Sequence, residues 1–102
     1  REEQRAVLLY DTAVDLLTEE GGAAKPGIPK RMVAVVYSNR SIALVKTGKL
    51  EKSLEDAETA LQLDPSFLKG YYRKAQALEF LERFEEAISV YDNILDGEKA
   101  HA

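Results

Sequence analysis

The sequence predicts an all-α chain in which helical hairpins stack side by side as a solenoid. Three observations carry that expectation. Apolar residues recur every three or four positions along five stretches. Glycine and proline fall in clusters between those stretches, as punctuation. A constant offset of 34 residues lays one helix-turn-helix unit on the next.

The first expected helix, residues 2–20, carries one stripe of Ala6, Leu9, Tyr10, Ala13, Leu16 and Leu17. Gly21-Gly22 and Pro26-Gly27-Ile28-Pro29 bound an irregular connection over residues 21–29. The second helix, about 29–47, opens at Pro29, whose fixed φ suits a first turn. Val33, Val35 and Val36 inside it favour strands as much as helices, and the repeat decides for helix. The third helix, 49–63, places Leu50, Leu54, Ala57 and Leu61 on one face. The fourth, 66–81, follows Asp64-Pro65 with Ser66 as its N-cap. The fifth, 83–96, is striped by Phe84, Ala87, Ile88, Tyr91, Ile94 and Leu95. Gly48 and Gly97 are expected as left-handed stops after helices.

The offset pairs Tyr37 with Tyr71, Ala43 with Ala77, Leu44 with Leu78, Leu50 with Phe84 and Leu54 with Ile88. Small residues at Ser41, Ala43, Ser53, Ala75, Ala77 and Ala87 allow paired helices to approach closely. Ala6, Tyr10 and Ala13 repeat the spacing of Ala87, Tyr91 and Ile94, so residues 1–20 read as the second helix of an earlier repeat. Ala13 to Ala60 is 47 residues, thirteen more than one period, and those thirteen fall at the irregular connection. The expected organisation is one domain over 1–102. A second helix of repeat 1 (1–20) is followed by the connection (21–29), repeat 2 (30–65) and repeat 3 (66–97). The first helix of repeat 1 would lie before Arg1, and a chain opening on Arg reads as a piece of a longer protein.

Composition removes several function classes. A net charge of −4 makes the chain as a whole no binder of nucleic acid. With no Cys and one His, zinc sites, disulfide frameworks and Ser–His or Cys–His nucleophiles lack their parts. The spacing of Asp92, Asp96 and Glu98 is not that of a calcium loop, so no metal or cofactor is expected. The longest apolar run, Met32–Tyr37, is far shorter than a membrane span. No nucleophile–base pair, phosphate loop or paired-carboxylate site is present, so no enzymatic activity is expected.

Stacked hairpins put their first helices on the concave wall. There Asn39, Ile42 and Lys46 form one stripe by helical geometry, and the offset sets them beside Arg73, Gln76 and Phe80, with Lys69 one turn earlier. The outer helices are acidic, with Glu51, Glu55, Asp56 and Glu58 on one and Glu82, Glu85 and Glu86 on the next. A positive groove is thus hidden in a negative chain. It suits an acidic peptide whose free C-terminus meets Lys69, Arg73 and Asn39 through charge-assisted hydrogen bonds. The plainer reading of these residues is a solvated helix face. Tyr37, Tyr71 and Phe84 are assigned to the core, and Lys25, Lys30 and Arg31 to a solvated linker.

The 34-residue hairpin with Tyr37, Ala43, Leu44, Ala57, Ala60 and Asp64-Pro65 resembles the tetratricopeptide repeat. Tyr37-Ser38-Asn39-Arg40-Ser41 and the stretch from Lys69-Gly70-Tyr71-Tyr72-Arg73 to Ala87 are similar to the second and third repeats of chaperone-binding co-chaperone domains. They look especially like the first such domain of the heat-shock organising protein. In those domains a dicarboxylate clamp grips the terminal Asp of the Glu-Glu-Val-Asp tail of cytosolic heat-shock chaperones. The resemblance implies clamp roles for Asn39, Lys69 and Arg73, flanking contacts at Lys46 and Phe80, and a cytoplasmic adaptor. It covers residues 34–96 closely and 2–20 loosely, and two of the five clamp positions belong to the helix before Arg1. The stripe of residues 2–20 then needs a cover: an N-terminal segment, rearrangement of the long connection, or exchange of elements between two copies in a homodimer. Two rivals stand beside the tail-binding reading. One is a repeat scaffold holding an internal segment of another protein, and the other is a self-association module with an idle groove.

Overall fold

A computed structural model describes the backbone of residues 1–101 and the side chains of residues 1–97. Five helices follow one another: α1 (Glu2–Leu17), α2 (Lys30–Lys46), α3 (Leu50–Leu63), α4 (Leu68–Phe80) and α5 (Phe84–His101). Each helix packs on its chain neighbours, and α2 also packs on α4, whereas α1, α3 and α5 do not touch one another. The row that touches is the inner row. The splayed row lies outside, which gives the α2–α4 side its concavity.

Three boundaries differ from expectation, each for a local reason. The first helix stops at Leu17 because Thr18 turns extended (φ −121°, ψ 155°), and its hydroxyl bonds back to the Val14 carbonyl. The fourth helix starts at Leu68 because the Asp64 carboxylate accepts from both the N–H (3.1 Å) and the hydroxyl (2.6 Å) of Ser66. Ser66 therefore belongs to the turn, and Phe67 occupies the N-cap position. The fifth helix continues through Gly97, which is not left-handed. Gly48, by contrast, closes α2 as expected, with φ 79°.

The long connection is ordered. Thr18 bridges Ala24, the Glu19 N–H bonds the Ala23 carbonyl (2.7 Å), and Lys25 bonds back to Leu17 (2.9 Å). Ala24 and Ile28 pack on a cluster of Val14, Val33, Ala34, Tyr37, Ala60 and Phe67. A Cβ added at Gly22 would sit 3.2 Å from the Tyr37 hydroxyl, so the loop presses directly on the core. An anchored connection of this kind is a poor tether for exchanging α1 between copies. Arg31 is likewise no linker residue: it is in α2, its guanidinium bonds Asp64, and it stacks 4.8 Å over the Phe67 ring.

A second cluster joins Leu54, Ala77, Leu78 and Ala87. Tyr37 is buried as expected, and Tyr71 is half-buried with its hydroxyl donating to the Pro65 carbonyl (2.8 Å). Phe84 is not core: it is exposed, together with Ile88 and Leu95 along the same face of α5. The offset explains this. Leu54 of α3 is 6% exposed because α4 covers it, whereas its counterpart Ile88 is 58% exposed because, among the described residues, no following helix packs on α5 as α4 packs on α3. The same holds at the other end, where Leu9 and Leu16 face outward and Val14 and Leu17 carry the packing of α1.

The strongest polar feature is buried. Arg40 donates from Nε (2.7 Å) and Nη2 (2.9 Å) to both oxygens of Asp56, and from Nη1 to Asp11 (2.9 Å). One guanidinium so ties α1, α2 and α3, lying 5.3 Å over the Tyr37 ring as well. The Asp56 side chain is only 2% exposed, so of the acidic residues expected along this outer helix it is the one turned inward. The two hydrogen bonds that Arg40 donates to Asp56 hold its pKa above the ordinary arginine range, against the opposing effect of burial. Beside them, Ser41 and Ser53 exchange hydroxyl-to-carbonyl bonds (2.9 and 2.8 Å) across the same α2–α3 seam.

Removing one partner of a buried ion pair strands the other, at a cost of about 3–5 kcal/mol. Asp56→Ala should lose stability on that scale in urea unfolding. Asp11, at 47% exposure, should cost under about 1 kcal/mol when replaced by Ala, as solvent-screened pairs do. Equal losses for the two would contradict the assignment. A second test concerns Glu82, which occupies the position of Gly48 one period on and carries φ 61°. The turn has the same bonds in both repeats, Lys49 N–H to Leu44 and Arg83 N–H to Leu78 (both 2.9 Å). Glu82→Gly relieves left-handed strain and should gain about 0.5–1 kcal/mol, raising Tm by several degrees in a thermal scan.

Candidate peptide-binding groove

The concave side of α2 and α4 holds three hollows that share residues. The first, about 280 Å³, is lined by Asn39, Ile42 and Lys46 of α2 against Ala6 and Tyr10 of α1, with Glu2 and Glu3 at its rim. The second, about 570 Å³, brings Asn39 and Lys69 together and extends to Val35, Phe67 and Arg31. The third, about 430 Å³, joins Lys69, Arg73 and Gln76 to Tyr72 and Tyr91. Asn39 links the first to the second, and Lys69 links the second to the third. Six of the seven residues singled out from the sequence therefore lie on one continuous surface. Phe80, at the last turn of α4, is exposed and lies outside these three hollows.

Local folding explains the placement. Within Tyr37–Ser41 every residue is buried except Asn39, which is half-buried and turned to the concave side. Arg73 is half-buried too, with one long bond from Nη1 to Gln76 Oε1 (3.4 Å). Its Nε is buried and has no partner, alone among the buried side-chain polar atoms of the described residues. A donor left unmade in this way costs about 1–3 kcal/mol, a deficit that an acceptor from outside would remove.

The charges are unevenly spread along the groove. Backbone hydrogen bonding at the start of α1 holds the Glu3 carboxyl below its ordinary range, and Lys46 adds a smaller effect in the same direction. Lys46 therefore shares its hollow with carboxylates, whereas no carboxylate lines the hollows of Lys69 and Arg73. Asp64, nearby, is committed elsewhere: its hydrogen bonds with Arg31 first, and with Ser66 second, draw its pKa down to about 2.

Sequence reasoning missed Val35, Tyr72, Tyr91 and the Arg31–Phe67 wall. Val35 had a signal. It is the counterpart of Lys69 one period back, but a valine in an apolar run reads as core. The groove offers cations, amides and carbon surface, a recognition chemistry. Among the described residues no three His, Asp or Glu side chains stand close enough to hold a metal ion.

The tetratricopeptide repeat model matches residues 34–67 and again residues 68–96, the two hairpins just described. The chain belongs to the tetratricopeptide repeat family. This tetratricopeptide repeat chain is 37% identical over 98 residues to Protein DIA2 of Eremothecium gossypii, covering 81% of the chain and 14% of that protein. It is 43% identical over 58 residues to the Hsp70-Hsp90 organizing protein of Triticum aestivum, covering 57% and 10%. Over 90 residues it is 36% identical to DnaJ homolog subfamily C member 7 of Mus musculus, covering 88% and 18%. The chain thus spans less than a fifth of the length of these relatives. It is a protein–protein interaction module of all-α repeats, and among the described residues no helix is long and apolar enough to cross a membrane.

Proposed function

We propose that this repeat pair holds the free C-terminal carboxylate of an acidic peptide, and that it serves as a cytoplasmic adaptor domain docking a larger protein onto heat-shock chaperone tails. The observation that carries the reading is the groove itself: Asn39 and Lys69 share one hollow, Lys69 and Arg73 the next, and Arg73 Nε is a buried donor without an acceptor. Similarity to proteins named Hsp70-Hsp90 organizing protein, over somewhat more than half of the chain, supports the choice of partner.

Repeat symmetry supports a wider groove wherever a further helix packs ahead of α1. Leu9 of α1 stands where Asp56 stands in α3, and Asp56 is covered by the preceding helix α2. A helix ahead of Arg1 in the same register would cover Leu9, lie against the 280 Å³ hollow, and add its own side chains beside Asn39.

Calorimetric titration tests the reading, on this chain and on one extended at its N-terminus. An acidic peptide ending in Asp should bind, and amidation of its C-terminus should weaken it about tenfold or more, the worth of a lost charge-assisted hydrogen bond. Arg73→Ala and Lys69→Ala should each do the same, and affinity should fall as salt rises. Equal binding of the free and amidated peptides would falsify terminal-carboxylate recognition.

A further inference from the structure

The largest of the three hollows lies past the Asn39–Lys69 pair, toward the N-terminal ends of α2 and α4. The tail-binding reading uses only its Asn39–Lys69 edge and leaves the rest open, because Lys46 and Phe80, the flanking contacts of that reading, lie at the opposite ends of these helices. A groove that received only chain ends would have no use for open space there.

The surface of that hollow is apolar in effect. Val35 and Leu68, from different helices, present 36% and 44% of their surfaces over a floor made by buried Phe67. The polar groups around them are already satisfied: Arg31 bonds Asp64 and stacks on Phe67, and the Ser66 hydroxyl bonds the same carboxylate. What remains is carbon surface beside one available cation, Lys69, and one amide, Asn39. A cavity of this size, mostly apolar with a few convergent polar groups, is the usual form of a side-chain pocket.

The spacing fits an extended peptide. Val35 lies one turn before Asn39 on the same stripe, about 6 Å along the helix axis, which about two residues of extended chain would span. Side chains two apart in an extended chain point the same way. We infer that the groove is open at this end and also accepts an internal segment, in which an acidic side chain sits at Asn39 and Lys69 and an apolar side chain two residues later fills the Val35–Phe67–Leu68 hollow. The inference rests on the proposal that Asn39 and Lys69 hold a carboxylate, but it does not require that carboxylate to be a chain terminus.

Four acetylated peptides separate the possibilities by fluorescence anisotropy: Glu-Glu-Ala-Asp as free acid, the same as amide, Glu-Glu-Ala-Asp-Ser-Leu-amide and Glu-Glu-Ala-Asp-Ser-Ser-amide. The Leu peptide should bind at least about fivefold tighter than the Ser peptide, the order expected for burying one aliphatic side chain. That advantage should shrink below about twofold in Val35→Asn and in Leu68→Ser, both partly exposed positions whose replacement leaves the buried core in place. Equal affinities of the Leu and Ser peptides, or an advantage undiminished in both variants, overturn the inference. If the free acid binds while those two amides are indistinguishable, only the tail reading survives. Binding of the Leu peptide without the free acid supports the open groove and removes the tail reading. No binding by any of the four removes both.

Discussion

The buried guanidinium of Arg40 is the constraint on which the rest of the molecule depends. A charge that far from water is tolerable only if paired, and its pairing partners come from two other helices, Asp56 of α3 and Asp11 of α1. Satisfying both fixes the rotation of α2 about its own axis. Successive residues of a helix are about 100° apart, so directing Arg40 outward and Tyr37 into the core leaves one position in that stretch for the concave side. That position is Asn39. A structural ion pair on one face of α2 and an amide lining the groove on the next are consequences of the same rotation.

Much of this was legible in the sequence. Apolar spacing, glycine and proline punctuation and the 34-residue offset together supplied five helices, the hairpin pairing and a stripe of which six residues line one surface. What it could not supply was the partner of each face. Asp56 sits in an acidic run and reads as solvated until Arg40, sixteen residues away, is seen beside it. Phe84 and Ile88 have the spacing of core residues, and they would be core if a helix lay over them. Periodicity marks a face that can be buried, but burial needs a cover.

The remaining differences are local contests. Asp64 outcompeted the helix for Ser66 by offering a charged acceptor two residues back. Gly97 stayed helical because glycine permits the left-handed turn without requiring it, while Glu82 adopts that turn against its own preference because the bonds that close α4 demand it. Arg31 reads as a solvated cation because the residues that it meets, Asp64 and Phe67, lie more than thirty positions on.

The proposed convergence of Asn39, Lys69 and Arg73 on one anionic group can be tested directly by nuclear magnetic resonance. The Arg73 Nε–H, buried without an acceptor, is a reporter that few other binding modes would move. On titration with an acidic peptide ending in Asp, its resonance should shift together with the Asn39 side-chain amide and the Lys69 backbone amide, all three saturating at one ligand concentration. Shifts confined to the exposed faces of α1 or α5, with the Arg73 Nε–H unmoved at saturation, would contradict that convergence.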